Sequence, residues 1–224
     1  LPALSIYLCI ISSFFSNADQ IAYYSIPTCP HVKSGITPVS YTIATWAPQR
    51  QLWMISLLLH FPARTLLMMM IPQMWLTGRR WRLSFYVLTS IESLSLACLS
   101  LFHKETNVQN RVHVISFTLW WISTILVMGI VTHLKRTTGH INQEAYVYRS
   151  WILQIFIMCA FILVSCTCAI AYPLAKKLCS VTAFTCFVVG EYVLIALNPC
   201  FWTIVIFEFR REFEGFQVVS VKKR

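Results

Sequence analysis

The stretch LLLHFPARTLLMM, residues 57–69, lies in the middle of an apolar run long enough to cross a membrane. His60, Pro62 and Arg64 interrupt the run. A transmembrane helix needs about 20 apolar residues, and an ionisable group within it is costly unless it faces protein or a wet cavity. The stretch therefore predicts a membrane-spanning helix with one buried polar face.

The rest of the chain has the same character. Of its 224 residues, 57% are hydrophobic and 12% charged, with a mean hydropathy of +0.65, which excludes an ordinary soluble domain. The apolar runs are continuous rather than alternating, which favours helices over a barrel. We predict an all-α polytopic membrane helical bundle over residues 1–209, followed by a cytosolic tail, 210–224. The six predicted transmembrane helices cover about residues 1–16, 53–76, 83–102, 112–134, 151–172 and 181–207.

The first of these runs is shorter than a full span. The chain has no initiator Met, and the run lacks the basic start and small-residue cleavage site of a signal peptide. We therefore expect it to be a truncated first span.

The net charge of +10 is dispersed among the connections between apolar runs, so it indicates membrane topology and not a nucleic-acid partner. One side carries eleven basic residues and the other six. By the positive-inside rule the richer side is cytosolic, with both termini, and connections 17–51, 103–111 and 173–180 face the lumen. The cytosolic set is Arg79, Arg80, Arg82, Lys135, Arg136, Arg149, Arg210, Arg211, Lys222, Lys223 and Arg224; the luminal set is Lys33, Arg50, Lys104, Arg111, Lys176 and Lys177.

The nine cysteines show no paired zinc spacing, so we expect no metal site. Cys29 and Cys179 are the only ones predicted on the luminal side. An oxidising compartment makes them candidates for one disulfide; two free thiols that never meet are the alternative.

Few ionisable residues lie deep in the predicted spans: His60, Arg64, Glu92 and Glu191, with Asn198 as a polar companion. The helical rise of about 1.5 Å per residue places these four ionisable groups roughly 12–18 Å from the nearest predicted span end, near mid-membrane. Arg64 is expected to neutralise one of the two glutamates. We predict a shared polar site beside a bend at Pro62; the alternative is an ion pair that only joins helices.

Sequence motifs give little help with chemistry. LNPCFW, residues 197–202, imitates the seventh helix of rhodopsin-like receptors, but Trp202 replaces the Tyr of that motif and six spans do not match that class. The His-x4-Asp motif of glycerolipid acyltransferases is absent, as are GxSxG, Walker and HExxH patterns. No cofactor is predicted.

Four segments taken in order resemble one family. They are PQRQLW (48–53), LHFPAR (59–64), SIESLSL (90–96) and EYVLIALN (191–198). Together they resemble the post-GPI-attachment-to-proteins factor 2 family, which belongs with DRAM-related proteins and the amino-terminal half of the yeast cell-wall protein that remodels glycosylphosphatidylinositol (GPI) lipids. The resemblance runs from about Trp46 to Phe209.

This resemblance implies a multi-pass protein of the Golgi, or of the endoplasmic reticulum, needed for reacylation of lyso-GPI during maturation and transport of GPI-anchored proteins. Its implied partners are the GPI lipid or lyso-GPI-anchored proteins, membrane lipids and a separate acyltransferase. It also matches Cys29 and Cys179 to the family's luminal cysteines, which favours the disulfide. Among the residues that match the family's segments, we predict His60, Glu92 and Glu191 for catalysis, and Gln49, Arg50, Arg64 and Asn198 for substrate binding.

Whether the chain is an enzyme stays open at this point. In one hypothesis His60 is the base toward a lipid hydroxyl and a glutamate orients it. In the other, which we favour because no acyltransferase motif is present, the cavity presents the lyso-lipid to a separate acyltransferase. A DRAM-like lysosomal modulator of autophagy is the alternative from another functional class.

Overall fold

The structure, a computed structural model, describes residues 2–26, 28–75, 78–102, 107–137 and 145–222. The predicted span end at Leu76 and the topology charges Lys104, Lys223 and Arg224 lie outside the described residues.

Within those residues, five helices are long and apolar enough to cross a membrane. An apolar helix of 15 residues, α1, precedes them and is shorter than a full span. The predicted all-α polytopic bundle is thereby confirmed, and the protein is a multi-pass membrane protein; the crossing of α1 stays a prediction. The helices are α1 (Pro2–Ser16), α2 (Ala18–Ala22), α3 (Val39–Thr45), α4 (Gln49–Trp75), α5 (Arg79–Leu101), α6 (Asn107–Thr137), α7 (Ala145–Leu178) and α8 (Val181–Lys222).

The long helices extend past the apolar runs that predicted them. Backbone hydrogen bonding continues where hydropathy stops, so α7 begins at Ala145, before its first apolar run, and α8 continues through the predicted tail to Lys222. Helix α4 contains Pro62, and α8 contains Pro199, within its length. A bend at Pro62 stays a prediction.

The spanning helices form a ring. Contacts run from α1 to α4 and then in chain order to α8, which returns to contact α1. Neighbours are antiparallel: Trp53 Nε1 at the start of α4 donates to Ser100 Oγ at the end of α5, at 3.0 Å. At the other end of the same pair, Tyr86 Oη donates to the carbonyl of Met69 at 3.4 Å.

The two most extensive helix–helix contacts in the bundle are between α7 and α8 and between α5 and α6. Gly190 lies on the α7–α8 seam, and a Cβ there would overlap Cys168 Sγ. The fully buried Phe161 and Phe201 belong to the same apolar core. Large side chains facing away from it, such as Leu163 at 69% exposed, form the outer surface that meets lipid.

The connection between α1 and α4 is folded and closes one end of the ring. It contains α2, a two-stranded antiparallel sheet of β1 (Ser25–Ile26) and β2 (Cys29–Lys33), and α3. We call these four elements the cap. Helix α3 packs against α1, α4 and α8, so part of the cap descends between the spanning helices.

Candidate functional site

A cavity of about 290 Å³ lies inside the ring, beneath the cap. We call it the main cavity. Its walls come from α1, α3, α4, α5, α6 and α8 and are mostly aliphatic and aromatic, with a few polar groups. This composition is typical of small-molecule sites, where a few polar groups fix the orientation of an apolar ligand. The residues that line it include Ile6, Ser40, Trp53, His60, Leu96, Ser100, Phe117, Trp120, Glu191, Leu194, Ile195, Asn198 and Trp202.

Glu191 connects the main cavity to the cap. It is 7% exposed, and its Oε2 accepts a hydrogen bond of 3.1 Å from the backbone N–H of Val39. Val39 is the first residue of α3, where an N–H has no partner within the helix, and a carboxylate is stabilised there by the helix dipole. The neighbouring Tyr192 Oη donates to the carbonyl of Thr37 at 3.0 Å. Through these two hydrogen bonds, helix α8 holds the start of α3 in place.

A disulfide fixes the other side of the cap. Cys29 in β2 is bonded to Cys179 between α7 and α8, with their Cα atoms 5.7 Å apart. The bond joins residues 150 positions apart in the chain, so the cap and the α7–α8 connection lie at the same end of the bundle. We call this the disulfide end.

Aromatic packing inside the cap reinforces this arrangement. The Tyr24 and Tyr41 rings lie 4.8 Å apart. Burial, and after it the neighbouring Tyr41, raises the pKa of Tyr24.

Arg64 and Glu92 form a buried ion pair. Arg64 Nη2 lies 2.6 Å from Glu92 Oε2, with the two side chains 8% and 0% exposed. Thr124 Oγ1 donates to Glu92 Oε1 at 3.0 Å, so the pair joins α4, α5 and α6. Neither charged side chain lines the main cavity. Charge neutralisation and helix joining account for both residues.

His60 lies one turn before Arg64 but belongs to the cavity wall instead. Asn198 lines the same cavity, and its Oδ1 has no hydrogen-bond partner among the described residues. The buried indoles of Trp120 and Trp202 also line it, and their Nε1 atoms likewise lack a described partner. A buried polar atom without a partner is destabilising, so these groups point to a ligand in the cavity.

The two remaining predicted substrate residues lie elsewhere. Gln49 is fully buried and its Nε2 donates to Ser12 Oγ at 3.2 Å and Asn17 Oδ1 at 3.5 Å, so it fastens α4 to the end of α1. Arg50 is exposed at the start of α4, at the disulfide end. Neither lines the main cavity.

Over the described ranges, no three His, Cys, Asp or Glu side chains come together as a metal site. The polar groups of the main cavity are instead one carboxyl, one imidazole, one carboxamide, indole N–H groups and hydroxyls on apolar walls. Such a set suits an apolar chain that carries a hydroxyl, because the chain fills the cavity and the hydroxyl finds acceptors.

A polar cluster joins α6, α7 and α8 at the end of the bundle opposite the disulfide end. The sequence reasoning missed it. Lys135 Nζ forms a salt bridge with Glu208 and donates to Gln154 Oε1 at 2.9 Å, while Ser150 donates to Glu208. Lys135 is only 2% exposed, although we predicted it as a cytosolic topology charge. The lone Gln154 inside an apolar run was the one signal in the sequence.

Comparisons with known proteins agree with the resemblance drawn from the four segments and confirm it. Post-GPI attachment to proteins factor 2 of Caenorhabditis elegans is 24% identical over 226 residues, which cover 93% of this chain and 81% of the relative. The protein of the same name from Caenorhabditis briggsae is 22% identical over 223 residues, with the same coverage. No solved structure matches the chain. The family model described as Frag1/DRAM/Sfk1/Cwh43P N-terminal domain matches residues 1–212, and the chain belongs to that family.

Proposed function

We propose that this protein acts in the processing of GPI-anchored proteins, and that it holds the lyso-GPI lipid in the main cavity while that lipid is reacylated. The observation that carries the proposal is the apolar cavity beneath the cap, with Glu191, His60 and Asn198 in its walls. The family and the two relatives, which are named for a step after GPI attachment, support the biological setting.

A lyso-GPI lipid matches this site in three parts. Its hydrocarbon chain suits the aliphatic and aromatic walls. Its free hydroxyl is a donor that the carboxyl of Glu191 or the imidazole of His60 accepts. Arg50 is exposed at the disulfide end and offers a planar bidentate donor to the anionic headgroup that extends out of the cavity.

We assign the disulfide end to the lumen. Disulfides persist in oxidising compartments, and the disulfide end carries fewer basic residues than the opposite end, as the positive-inside rule requires. This orientation places both termini in the cytosol and the cap beside the luminal leaflet, where GPI anchors lie. Residence in the Golgi, or in the endoplasmic reticulum, is part of the proposal.

We favour a lipid-presenting role over catalysis. A catalytic protein must join the lipid hydroxyl oxygen to the acyl carbon of acyl-CoA or a phospholipid, while the donor's thiol or alcohol leaves and a base such as His60 moves the proton between them. Glu191 already holds the first N–H of α3, so its contact in this structure serves the shape of the cavity. Such a contact supports holding the lipid for a separate acyltransferase.

Purified protein tests the proposal with lysophosphatidylinositol as the probe and oleoyl-CoA or dioleoylphosphatidylcholine as the acyl donor. We expect saturable binding and no acyl transfer. Ile195 lines the main cavity, so Ile195→Trp fills it and lowers binding at least tenfold, whereas Val189→Trp on the outer face of α8 binds normally.

Two results decide against parts of this account. Absence of lysolipid binding to well-folded protein contradicts the proposed function. Acyl transfer by the purified protein, lost in His60→Ala or Glu191→Gln while binding persists, contradicts the lipid-presenting role and makes the protein the acyltransferase.

A further inference from the structure

A second cavity of about 250 Å³ lies beside the main one, between α6, α7, α8 and the start of α3. We call it the side cavity. The two cavities share four wall residues, Ser40, Phe117, Glu191 and Leu194. They are therefore adjacent chambers, and two of the shared residues, Ser40 and Glu191, are polar. The residues of the side cavity used below are His113, Thr118, Trp121, Ser165, Cys168 and Ala169.

The side cavity also contains polar atoms without a described partner. Ser165 is 2% exposed and lines the cavity, yet its Oγ has no hydrogen-bond partner among the described residues. The Nε1 of Trp121, another wall residue, also has no hydrogen-bond partner among the described residues. Leaving a buried polar group unpaired is unfavourable, so an occupant with acceptor groups accounts for both. The side cavity is thus built for a ligand in its own right.

The sizes of the chambers favour one occupant shared between them. Each falls just below the roughly 300–1,000 Å³ that is typical of small-molecule pockets, and the two together fall inside that range. Both chambers have largely apolar walls, while Ser40 and Glu191 are polar and stand in the shared wall. An apolar group on each side of a polar linkage is the chemistry of a lipid with two hydrocarbon chains.

We propose that the two cavities form one site for a two-chain glycerophospholipid, with one chain in each chamber and the glycerol linkage at Ser40 and Glu191. This inference rests on the proposed function and deepens it: the main cavity, the larger of the two, holds the chain of a one-chain lysolipid, and the side cavity holds the second chain of a two-chain lipid. Ser165 and Trp121 are the polar contacts of the second chain near its ester.

Binding of one-chain and two-chain probes separates the chambers. The probes are lysophosphatidylinositol and dioleoylphosphatidylinositol, bound to the full chain in detergent and counted by native mass spectrometry. Ala169 lies at the exposed edge of the side cavity, where Ala169→Trp obstructs it, and Ile170→Trp at the next position, 62% exposed and outside the cavity wall, is the matched control. We expect Ala169→Trp to lower affinity for the two-chain probe at least tenfold and to leave one-chain binding unchanged, with the control normal for both.

A second variant protects the test against misfolding. Thr118→Trp obstructs the exposed edge of the side cavity from α6, the opposite wall, and has the same expected result. Equal loss of both probes in monodisperse Ala169→Trp and Thr118→Trp protein, or loss of neither, overturns the inference. So does binding of two molecules of the two-chain probe per chain, because each chamber then holds a separate lipid.

The proposed function has its own readout in the same experiment. Loss of one-chain binding in Ile195→Trp supports the main cavity as the lysolipid site whatever the side-cavity variants do. If wild-type protein binds the two-chain probe and never the one-chain probe, the proposed function fails while the two-chain site stands.

Discussion

Glu92 and Glu191 are both buried in the same bundle, and they differ in what they meet. Glu92 has a cation and a hydroxyl as its partners and lines neither cavity. Glu191 accepts a backbone N–H from the cap and lines both cavities. Depth in the membrane therefore does not assign a role to a buried carboxylate. The partners do, so substitutions at the ion pair should change stability and substitutions at the cavity should change function.

The largest expected effect comes from breaking the ion pair. Arg64→Leu leaves the fully buried Glu92 without its cation, so we expect a loss of about 3–5 kcal/mol of stability and little folded protein. The yield of monodisperse protein and its thermal unfolding midpoint in detergent measure this.

The double variant Arg64→Leu/Glu92→Leu is the matched control, because replacing both charges by apolar groups removes the unpaired charge. We expect it to recover most of the lost stability. If the double variant is as unstable as Arg64→Leu, the two residues do not act as a stabilising pair.

Removing the disulfide has the next largest expected effect on stability. Replacing Cys29 and Cys179 by Ser releases the cap, and a disulfide typically contributes about 2–4 kcal/mol. We expect a lower unfolding midpoint and faster proteolysis within the cap. Ser at the exposed free cysteines Cys166 and Cys186 is the control and should change neither. An unchanged midpoint without the disulfide means that α3 holds the cap in place without help.

Packing between α7 and α8 gives a third, smaller effect. Gly190→Val drives a side chain into Cys168, and overpacking of this kind costs about 1–3 kcal/mol. Gly129→Ala is the matched control, because a Cβ there meets nothing within 4 Å and Ala favours the helix. Equal midpoints for Gly190→Val and wild type contradict the close α7–α8 seam.

The smallest effect on stability is expected at the cavity. Glu191→Gln keeps an oxygen that accepts from Val39 N–H, so we expect stability to change by no more than about 1 kcal/mol. Expressed in cells that lack this protein, Glu191→Gln should nevertheless fail to restore the surface levels of GPI-anchored proteins. Full recovery with this variant removes the acidic group from the proposed lipid contact.

The sequence was sufficient for the fold class, the family and the placing of the five long helices. Hydropathy identifies spans because lipid admits few charges, and the ends are missed where a helix continues past its apolar run, as α8 does beyond residue 207. The folded cap could not be predicted from hydropathy, because the α3 contact with Glu191 joins residues 152 positions apart.

Depth placed His60, Arg64, Glu92 and Glu191 at one level, and the structure divides them into an ion pair and a cavity wall. A helix turns about 100° per residue, so residues four apart differ by about 40° around the axis. That difference is enough to send His60 to the cavity and Arg64 to Glu92. Rotation of each helix about its axis is fixed by packing, which a single sequence does not specify.

The most direct test of the central claim is the surface level of a GPI-anchored reporter in cells that lack this protein and express either Ile195→Trp or Val189→Trp. Both substitutions add the same side chain to α8, one inside the main cavity and one 47% exposed on the outer face. With equal protein levels, we predict that Val189→Trp restores the reporter and Ile195→Trp does not. Full restoration by Ile195→Trp would contradict the claim that the main cavity holds the lipid.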